Sequence, residues 1–369
     1  GWEDRRQDAL LAGENTIGEF EDLRTWGFED LRIVEDFGGL PMLKSTRVLC
    51  VVVGVLILVG GLRAAGSPPE WAYNIQPAPP PGTTPAPPAR DDGSLKTLPG
   101  AAKGFTLTEI RNGFGPADWY PSDHPQMPDV VAHGRQPDVR ACSLCHYPNG
   151  KGRPENAGVT GLPVEYFKKT MNDFRSGARK SAEPRKANTN VMITIAKGMT
   201  DEELNAAAEY FGSMKWTPWI KVIESQTVPK TRSQGGMYLK LEGGASEPLG
   251  PRIIETPGDA ERTETLRDPH SAFTAYVPVG SLKAGKTLVE TGGNGKTERC
   301  AICHGEGLHG LRPVPPLAGR SPSYVVRQLF DIQQGGRKGI WSELMLPAVK
   351  NLREDEMMTI AAYVAPITP

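Results

Sequence analysis

The sequence predicts a mainly α-helical protein built from two tandem copies of one domain, joined by a connector with short β-strands. Three observations support this fold class. An internal repeat of roughly 70 residues runs through both halves in register. In each copy, segments with apolar residues at spacings of three and four follow Gly/Pro-rich stretches, which favours helices. Between the copies, residues 237–241 and 274–279 have the composition of strands.

The repeat is defined by matching spacings. In each copy a glycine lies eight residues before the first cysteine of a Cys-x-x-Cys-His motif, and a tyrosine lies twenty residues after its histidine. The matched pairs are Gly134 and Gly292, Gly152 and Gly310, Gly161 and Gly319, and Tyr166 and Tyr324. Residues 173–180 (DFRSGARK) also match residues 331–338 (DIQQGGRK). This regularity indicates a duplicated domain.

Each copy is expected to contain two main helices after its motif. The first runs from about Tyr166 to Arg175, with a counterpart at residues 324–333. The second opens at Thr200 with a capping-type sequence, and its counterpart covers residues 353–364. The first copy holds five extra residues between Arg179 and Met192, in a stretch rich in Lys, Pro and Asn that we interpret as a loop.

Composition and charge narrow the class of protein. The chain has 369 residues, 38% of them hydrophobic, with 42 Gly and 34 Pro, which suits domains whose cores are completed by a bulky cofactor. Residues 1–41 carry eleven acidic and four basic residues, so their charge of −7 leaves +6 for the rest of a chain whose total is −1. No basic cluster is interleaved with aromatic residues, so nucleic acid is not an expected partner.

The N-terminal region has the pattern of a targeting segment. We interpret Met42 as the true start, so that residues 1–41 are an upstream extension and residues 42–66 a secretory signal peptide. The apolar run 48–62 is the alternative, an uncleaved anchor, although it is short for a membrane span. Cys50 is expected to be only a small apolar residue of that run. Either interpretation places the rest of the chain in the periplasm.

The proline-rich residues 67–103 are expected to form a linker. Prolines there disfavour helix and favour extended chain, which acts as a spacer or as a disordered leader. Together these observations predict six segments: an upstream extension (1–41), a signal peptide or anchor (42–66), a linker (67–103), domain 1 (104–225), a connector (226–283) and domain 2 (284–369).

Two Cys-x-x-Cys-His motifs carry the chemistry. Such a motif presents two thiols to the vinyl groups of one porphyrin and a histidine to its iron, so we predict two covalently attached haem c groups. The covalent attachment is predicted at Cys142, Cys145, Cys300 and Cys303, and the first iron ligands are His146 and His304. One zinc ion held by both cysteine pairs is the alternative, which the 154 intervening residues disfavour.

The repeat also nominates the sixth iron ligands. Met192 lies 46 residues after His146, and Met345 lies 41 residues after His304. A thioether is a soft neutral ligand that favours ferrous iron and closes the coordination sphere. Four other methionines have helical spacing, and we expect them to fill cores. They are Met171, Met199, Met357 and Met358.

Several polar groups are candidates for supporting roles. Arg179 and Arg337 are duplicated, and each is predicted either to hydrogen-bond a haem propionate or to lie on the solvated surface. Carbonyl groups near Pro154, and near prolines 313, 315 and 316, are expected to accept the Nδ1 proton of the motif histidines. The other histidines are not paired by the repeat and are expected to lie on the surface or to be satisfied in the core. They are His124, His133, His270 and His309.

At this point the motifs resemble a known family. The segments CAICHGEGLHG, PPLAGRSPSYVVRQLFDIQQGGRKG and MLPAVKNLREDEMMTIAAYV of the second copy resemble class I c-type cytochromes, most nearly the dihaem cytochrome c4 family. The first copy is similar but more divergent. The resemblance implies helical domains around haem, histidine and methionine axial ligands, and periplasmic one-electron transfer. The long connector departs from the family pattern.

The expected function is therefore that of an electron carrier rather than an enzyme. The resemblance implies a dehydrogenase or quinol-oxidising complex as donor and a terminal oxidase or reductase as acceptor. One alternative is a dihaem peroxidase, which needs an open iron site and an acid or base beside it. The other is a cytochrome subunit docked permanently on a dehydrogenase through the connector.

Overall fold

A computed structural model of the chain describes residues 66–75 and 90–369, which belong to one compact unit, Ala65–Pro369. Residues 1–65 and 76–89 lie outside the described part, and with them the predicted extension, nearly all of the signal or anchor, Cys50 and the Pro79–Pro81 run. In the described part, no helix has the length and apolar character needed to cross a membrane.

Helices dominate both copies of the repeat, as the sequence predicts. Before and within the first copy they are α1 (Glu70–Tyr73), α2 (Leu107–Ile110), α3 (Asp129–Ala132), α4 (Cys142–His146), α5 (Val164–Ser176), α6 (Ala187–Gly198) and α7 (Asp201–Ser213). In the second copy they are α8 (Ser281–Thr291), α9 (Ala301–His304), α10 (Pro322–Gln333), α11 (Ile340–Glu343), α12 (Leu346–Val349) and α13 (Glu354–Val364).

The helix ends follow from local side-chain chemistry. Thr200 caps α7 by accepting a hydrogen bond from the Glu203 amide, and the Glu203 side chain accepts one from the Thr200 amide in return. Ser321 caps α10 in the same way by accepting from the Tyr324 amide. At the other end of α5, Gly177 takes the left-handed conformation that stops the helix.

Helix α6 was not predicted. The sequence favours a loop in the stretch rich in Lys, Pro and Asn, but in the structure a helix begins at Ala187 and contains Met192. The apolar and polar residues of α6 alternate with little helical regularity, so the sequence gives only a weak helix signal. The helix forms because Ile195 and Ala196 become buried against α5 and α7 in the first core.

Each copy has its own apolar core. In the first copy α5, α6 and α7 bury residues such as Phe167, Leu204 and Phe211. In the second, α8, α10 and α13 cross closely, and Gly285 of α8 lies against the backbone of Thr359 in α13. The methionines expected to fill cores do so, because all four are at least 94% buried.

Short strands form in the region between the copies. Strand β3 (Ile220–Glu224) pairs in parallel with β9 (Phe273–Val277), and β9 pairs antiparallel with β8 (Ile254–Pro257). Two further antiparallel pairs are β4 (Thr227–Pro229) with β7 (Ser246–Pro248), and β5 (Thr231–Gln234) with β6 (Met237–Lys240). A small ladder of β1 (Gly134–Arg135) and β2 (Val139–Arg140) precedes the first motif.

Part of the predicted linker is packed against the second copy. Helix α1 places Tyr73 in the second core, where its side chain is fully buried. The Tyr73 hydroxyl donates to Asp331, while Lys186 donates to the Tyr73 carbonyl oxygen. The prolines of this region favour extended chain, but the segment between them contains Trp71 and Tyr73, which become partly and fully buried, respectively, when it packs against the second copy. The free energy gained by burying these two side chains outweighs the preference of the prolines for extended chain.

Candidate haem-binding site

Both Cys-x-x-Cys-His motifs face one cavity. Helix α4 carries the first motif and α9 the second, and the four cysteines and both histidines line a continuous cavity of about 740 Å³. All four thiols are free, so none is used in a disulfide. Burial raises the pKa of Cys142 to about 12 and that of Cys300 to about 11, so both thiols are protonated at neutral pH.

The motif histidines are oriented to bind iron. His146 Nδ1 donates to the Ala157 carbonyl at 2.8 Å, and His304 Nδ1 donates to the Pro315 carbonyl at 2.8 Å. Because a carbonyl oxygen can only accept, the proton stays on Nδ1 and the Nε2 lone pair is left free. Burial lowers the pKa of both imidazoles against the opposing effect of these hydrogen bonds, which favours the neutral form.

One of these orientation contacts corrects an expectation. The prediction of a proline carbonyl is confirmed at Pro315 but is wrong at Pro154, whose carbonyl accepts from Arg327 instead. Ala157 takes this role because it is the repeat counterpart of Pro315. Each residue of the first pair, His146 and Ala157, lies 158 positions before its counterpart in the second pair, His304 and Pro315. The repeat register was therefore a better guide than residue type.

The residues present fit a haem group. His304 Nε2 is buried without a hydrogen-bond partner and belongs to the cavity wall, so this polar atom is satisfied only by a ligand in the cavity. The wall beside it is largely apolar and includes Val325, Leu352 and Ile360. An apolar slot with a free imidazole nitrogen and two thiols is the donor set that a covalently attached porphyrin requires.

Both predicted sixth ligands lie on the wall of this cavity. Met192 comes from α6, and Met345 is the residue immediately before α12. Both are half-buried, whereas Met171 and Met199 are buried in the first core and also reach the cavity. The structure thus brings the four predicted haem-binding residues of each copy, eight in all, to the wall of one cavity, while ligation by the methionines stays a prediction.

The cavity wall has a surplus of positive charge. Its charged side chains are Arg140, Arg153, Lys169, Arg179, Lys180, Lys186, Arg267, Arg299, Arg320, Arg327 and Arg337 against Glu155, Asp173, Glu298 and Asp331. Burial alone would raise the pKa of Tyr166, but the nearby guanidinium groups outweigh it and lower the pKa to about 8. Burial, together with the charge of Arg327, lowers the pKa of Lys186 to about 7. Such a wall suits haem propionates.

The duplicated arginines lie where the two copies meet. Arg179 and Arg337 are buried and pair as an isolated antiparallel β-bridge, which contradicts the surface alternative. Each reaches into the other copy: Arg179 donates to the Tyr324 hydroxyl at 3.4 Å, and Arg337 donates to the Tyr166 hydroxyl at 3.3 Å. Both also donate to Gln328 Oε1. Their predicted contact with propionates remains a prediction.

Sequence reasoning missed one residue of this junction. Arg320 is buried, and it donates to the Gly158 and Thr160 carbonyls of the first copy while its guanidinium lies 4.0 Å from the Trp216 ring centroid. Its repeat counterpart is Leu162, so the repeat did not identify it. The sequence did contain one signal for its role, because an arginine stands in the second copy where the first copy has the apolar Leu162.

The remaining histidines are not part of the cavity wall. His124 hydrogen-bonds Asp118, and His270 pairs with Asp123 at 2.5 Å while stacking on Tyr120. His133 and His309 are also absent from the residues that line the cavity. The expectation that these histidines serve outside the iron sites agrees with their positions.

Comparisons with known proteins define the family. No family model matches the chain. The cytochrome subunit of sulfide dehydrogenase of Chlorobaculum tepidum is 30% identical over 105 residues, which are 28% of this chain and 88% of that protein. That match covers nearly the whole relative. The chain belongs to the c-type cytochromes. Cytochrome c4 of Thiocapsa roseopersicina is 39% identical over 105 residues, 28% of this chain and 48% of that protein.

Another relative matches a larger share of the chain. The thiosulfate dehydrogenase electron acceptor of Stutzerimonas stutzeri is 26% identical over 236 residues, 63% of this chain and 81% of that protein. Among solved structures, reduced cytochrome c4 of Pseudomonas stutzeri has a TM-score of 0.40 and 18% identity, with 61% of this chain and 93% of that chain covered.

This c-type cytochrome is thus a dihaem protein that resembles cytochrome c4. It carries two covalently attached haem c groups, and it is an electron-transfer protein rather than an enzyme. The expected electron-carrier function is confirmed, and the peroxidase alternative is not supported.

Proposed function

We propose that this cytochrome is a periplasmic dihaem carrier whose two haem domains exchange electrons with each other inside the protein. The observation that carries the proposal is the single cavity lined by both motifs and by both candidate methionines. Bound haem supplies one-electron exchange between ferric and ferrous iron. The chain's own residues attach, orient and shield it.

The assigned residues follow the repeat. Cys142 and Cys145 would hold one haem with His146 and Met192, and Cys300 and Cys303 would hold the other with His304 and Met345. The Nδ1 hydrogen bonds of both histidines fix their ring orientation. With these histidines and methionines bound to the two irons, no position would be left for a substrate at iron, which suits a carrier.

The junction between the copies supports internal exchange. The tandem domains, residues 104–225 and 284–369, meet through reciprocal backbone hydrogen bonds: Lys180 N–H donates to Gly336, and Lys338 N–H donates to Ala178. Arg179 and Arg337 lie beside these bonds and are the groups best placed to bind propionates of both haems. Both motifs line one cavity, so the connector does not separate them.

The donor is proposed to be a sulfur-oxidising dehydrogenase. Two relatives are named as an electron acceptor of thiosulfate dehydrogenase and as a subunit of sulfide dehydrogenase. A terminal oxidase or reductase is the proposed acceptor. The connector strands bury residues such as Val228 and Leu249 within their own cluster, so a permanent docking role for the connector has less support than a transient partner.

The test is the methionine–iron charge-transfer band of oxidised protein. Met192→Leu and Met345→Leu should each remove about half of the weak absorption near the red end of the spectrum, because each thioether contributes one iron–sulfur bond. Met199→Leu is the matched control, since Met199 also reaches the cavity but is assigned to the core. Loss of the band in the Met199 variant, or its full retention in either of the others, would contradict the assignment.

A further inference from the structure

The two motifs differ in how much of the protein lies over them. In the first motif Leu144 is 6% exposed, whereas its counterpart in the second, Ile302, is 62% exposed. The same contrast separates Arg153, which is buried, from its counterpart Leu311, which is 59% exposed. The repeat is therefore asymmetric at the surface next to the cysteines.

The cover over the first motif is a segment of the connector, residues 259–271. Arg267 in this segment donates to the Leu144 carbonyl, and Asn149 donates to the Pro269 carbonyl at 2.8 Å. Within the segment, the buried carboxylate of Asp268 accepts a hydrogen bond from Arg262. A partner protein cannot approach the first motif from this side without displacing the segment.

Tyr147 anchors this cover at a conformational cost. It directly follows the first motif, has φ of 62° and ψ of 159°, and is fully buried with its hydroxyl donating to the Thr263 carbonyl. The counterpart in the second copy is Gly305, for which such a backbone is unstrained. A tyrosine in this conformation persists only where surrounding contacts hold it, which here means the connector.

The second motif is surrounded by exposed apolar side chains instead. Ile340 is 66% exposed and directly precedes Trp341 of the cavity wall. We define the port as five exposed apolar residues. Each of them either lines the cavity or lies one or two positions along the sequence from a residue that does. They are Ile302, Leu311, Ile340, Leu344 and Leu346.

We propose that this cytochrome exchanges electrons with its protein partners only through the port at the second haem, and that the covered first haem is reached internally. The occupant of the port is a separate electron-transfer protein that presents an apolar surface over its own cofactor. The proposal rests on the proposed function, because an external partner must reach one haem before the other.

Two features favour a transient partner over a second copy of this chain. The port and its flanking charges together comprise about eleven residues, whereas a stable interface takes roughly 20–30 residues a side. The exposed charges beside the port are balanced: Glu298, Glu306 and Glu343 against Arg299, Arg312 and Lys338. A balanced rim suits an apolar, weakly steered encounter whose rate changes little with salt.

The test uses holoprotein and mitochondrial cytochrome c as the probe partner. The double variant Leu311→Asn/Ile340→Asn, at two port residues outside the cavity wall, should slow exchange with cytochrome c by about tenfold, equivalent to about 1.4 kcal/mol. The matched control is Leu95→Asn/Val279→Asn, which changes two equally exposed apolar residues outside the port and should leave the rate unchanged. Reduction by ascorbate, which needs no docking, should be the same in all proteins.

A footprint separates docking from chemistry. Redox-inert zinc-substituted cytochrome c should slow amide hydrogen exchange in residues 302–311 and 340–346, and not in residues 259–271. Protection of residues 259–271, or a wild-type rate in the port variant, would overturn the inference while leaving the carrier function intact. Failure of wild-type holoprotein to exchange electrons with any protein probe would instead count against the proposed function.

Discussion

The packing of α1 against the second copy predicts how much stability the substitution Tyr73→Phe should remove. The Tyr73 hydroxyl donates to Asp331 Oδ1 at 2.6 Å, and the ring packs edge-on against Phe330. The substitution removes one oxygen atom and keeps the ring. Burial raises the pKa of Asp331, while the hydrogen bonds from Tyr73 and the Ala182 amide oppose this effect. Loss of the hydroxyl should therefore raise the pKa of Asp331 further.

The expected cost follows from the kind of hydrogen bond. A hydrogen bond to a charged group contributes about 1.5–3 kcal/mol, so Tyr73→Phe should lower the free energy of unfolding by that amount. At about 2–4 °C for each kcal/mol, the melting temperature should fall by at least about 3 °C. Tyr238→Phe is the matched control, because its hydroxyl donates to the neutral carbonyl of Trp71 at 3.0 Å. Its cost should be about 0.5–1.5 kcal/mol.

The assay is thermal and urea unfolding of the two holoprotein variants, followed by circular dichroism at pH 7. If Tyr73→Phe destabilises the protein no more than Tyr238→Phe does, the buried contact with Asp331 is not a charged hydrogen bond. A charged contact that holds residues 66–75 against the second copy would then be ruled out.

Two further predictions concern helix packing and pH. Gly285→Ala should destabilise the protein by about 1–3 kcal/mol in urea unfolding, because the new Cβ would lie 2.0 Å from the Thr359 carbonyl oxygen; Gly258→Ala, with 3.5 Å to its nearest neighbour, should cost much less. The hydrogen bond from Arg135 holds the pKa of Glu203 below its usual 4.5, so this carboxylate stabilises the fold above about pH 4.5 and loses that contribution as the pH falls through its folded pKa. Arg135→Ala should therefore lose more stability relative to wild type at pH 7 than at acid pH, and a stability difference that does not shrink as the pH falls would contradict this.

The sequence by itself determined the chemistry and the helical framework. Covalent attachment of haem requires cysteines two residues apart with a histidine beside them, so the motifs were identifiable without coordinates. The repeat register predicted α5, α7, α10 and α13, because amphipathic spacing and capping are local properties of the chain. The same register located Met192 and Met345, which the structure places in the cavity wall.

Only the tertiary structure decided what lies against these elements. Helix α6 and the docked α1 are stabilised by burial against distant residues, and local sequence carries little signal for such contacts. The exchange of arginine partners between the copies, and the contact of Arg320 with Gly158 and Thr160, also join residues more than 140 positions apart. Tyr147 in place of a glycine was visible in the sequence, but its meaning depends on the connector above it. Long-range packing is a sum of many weak contacts, so the unequal exposure of the two motifs emerged only once the chain was folded.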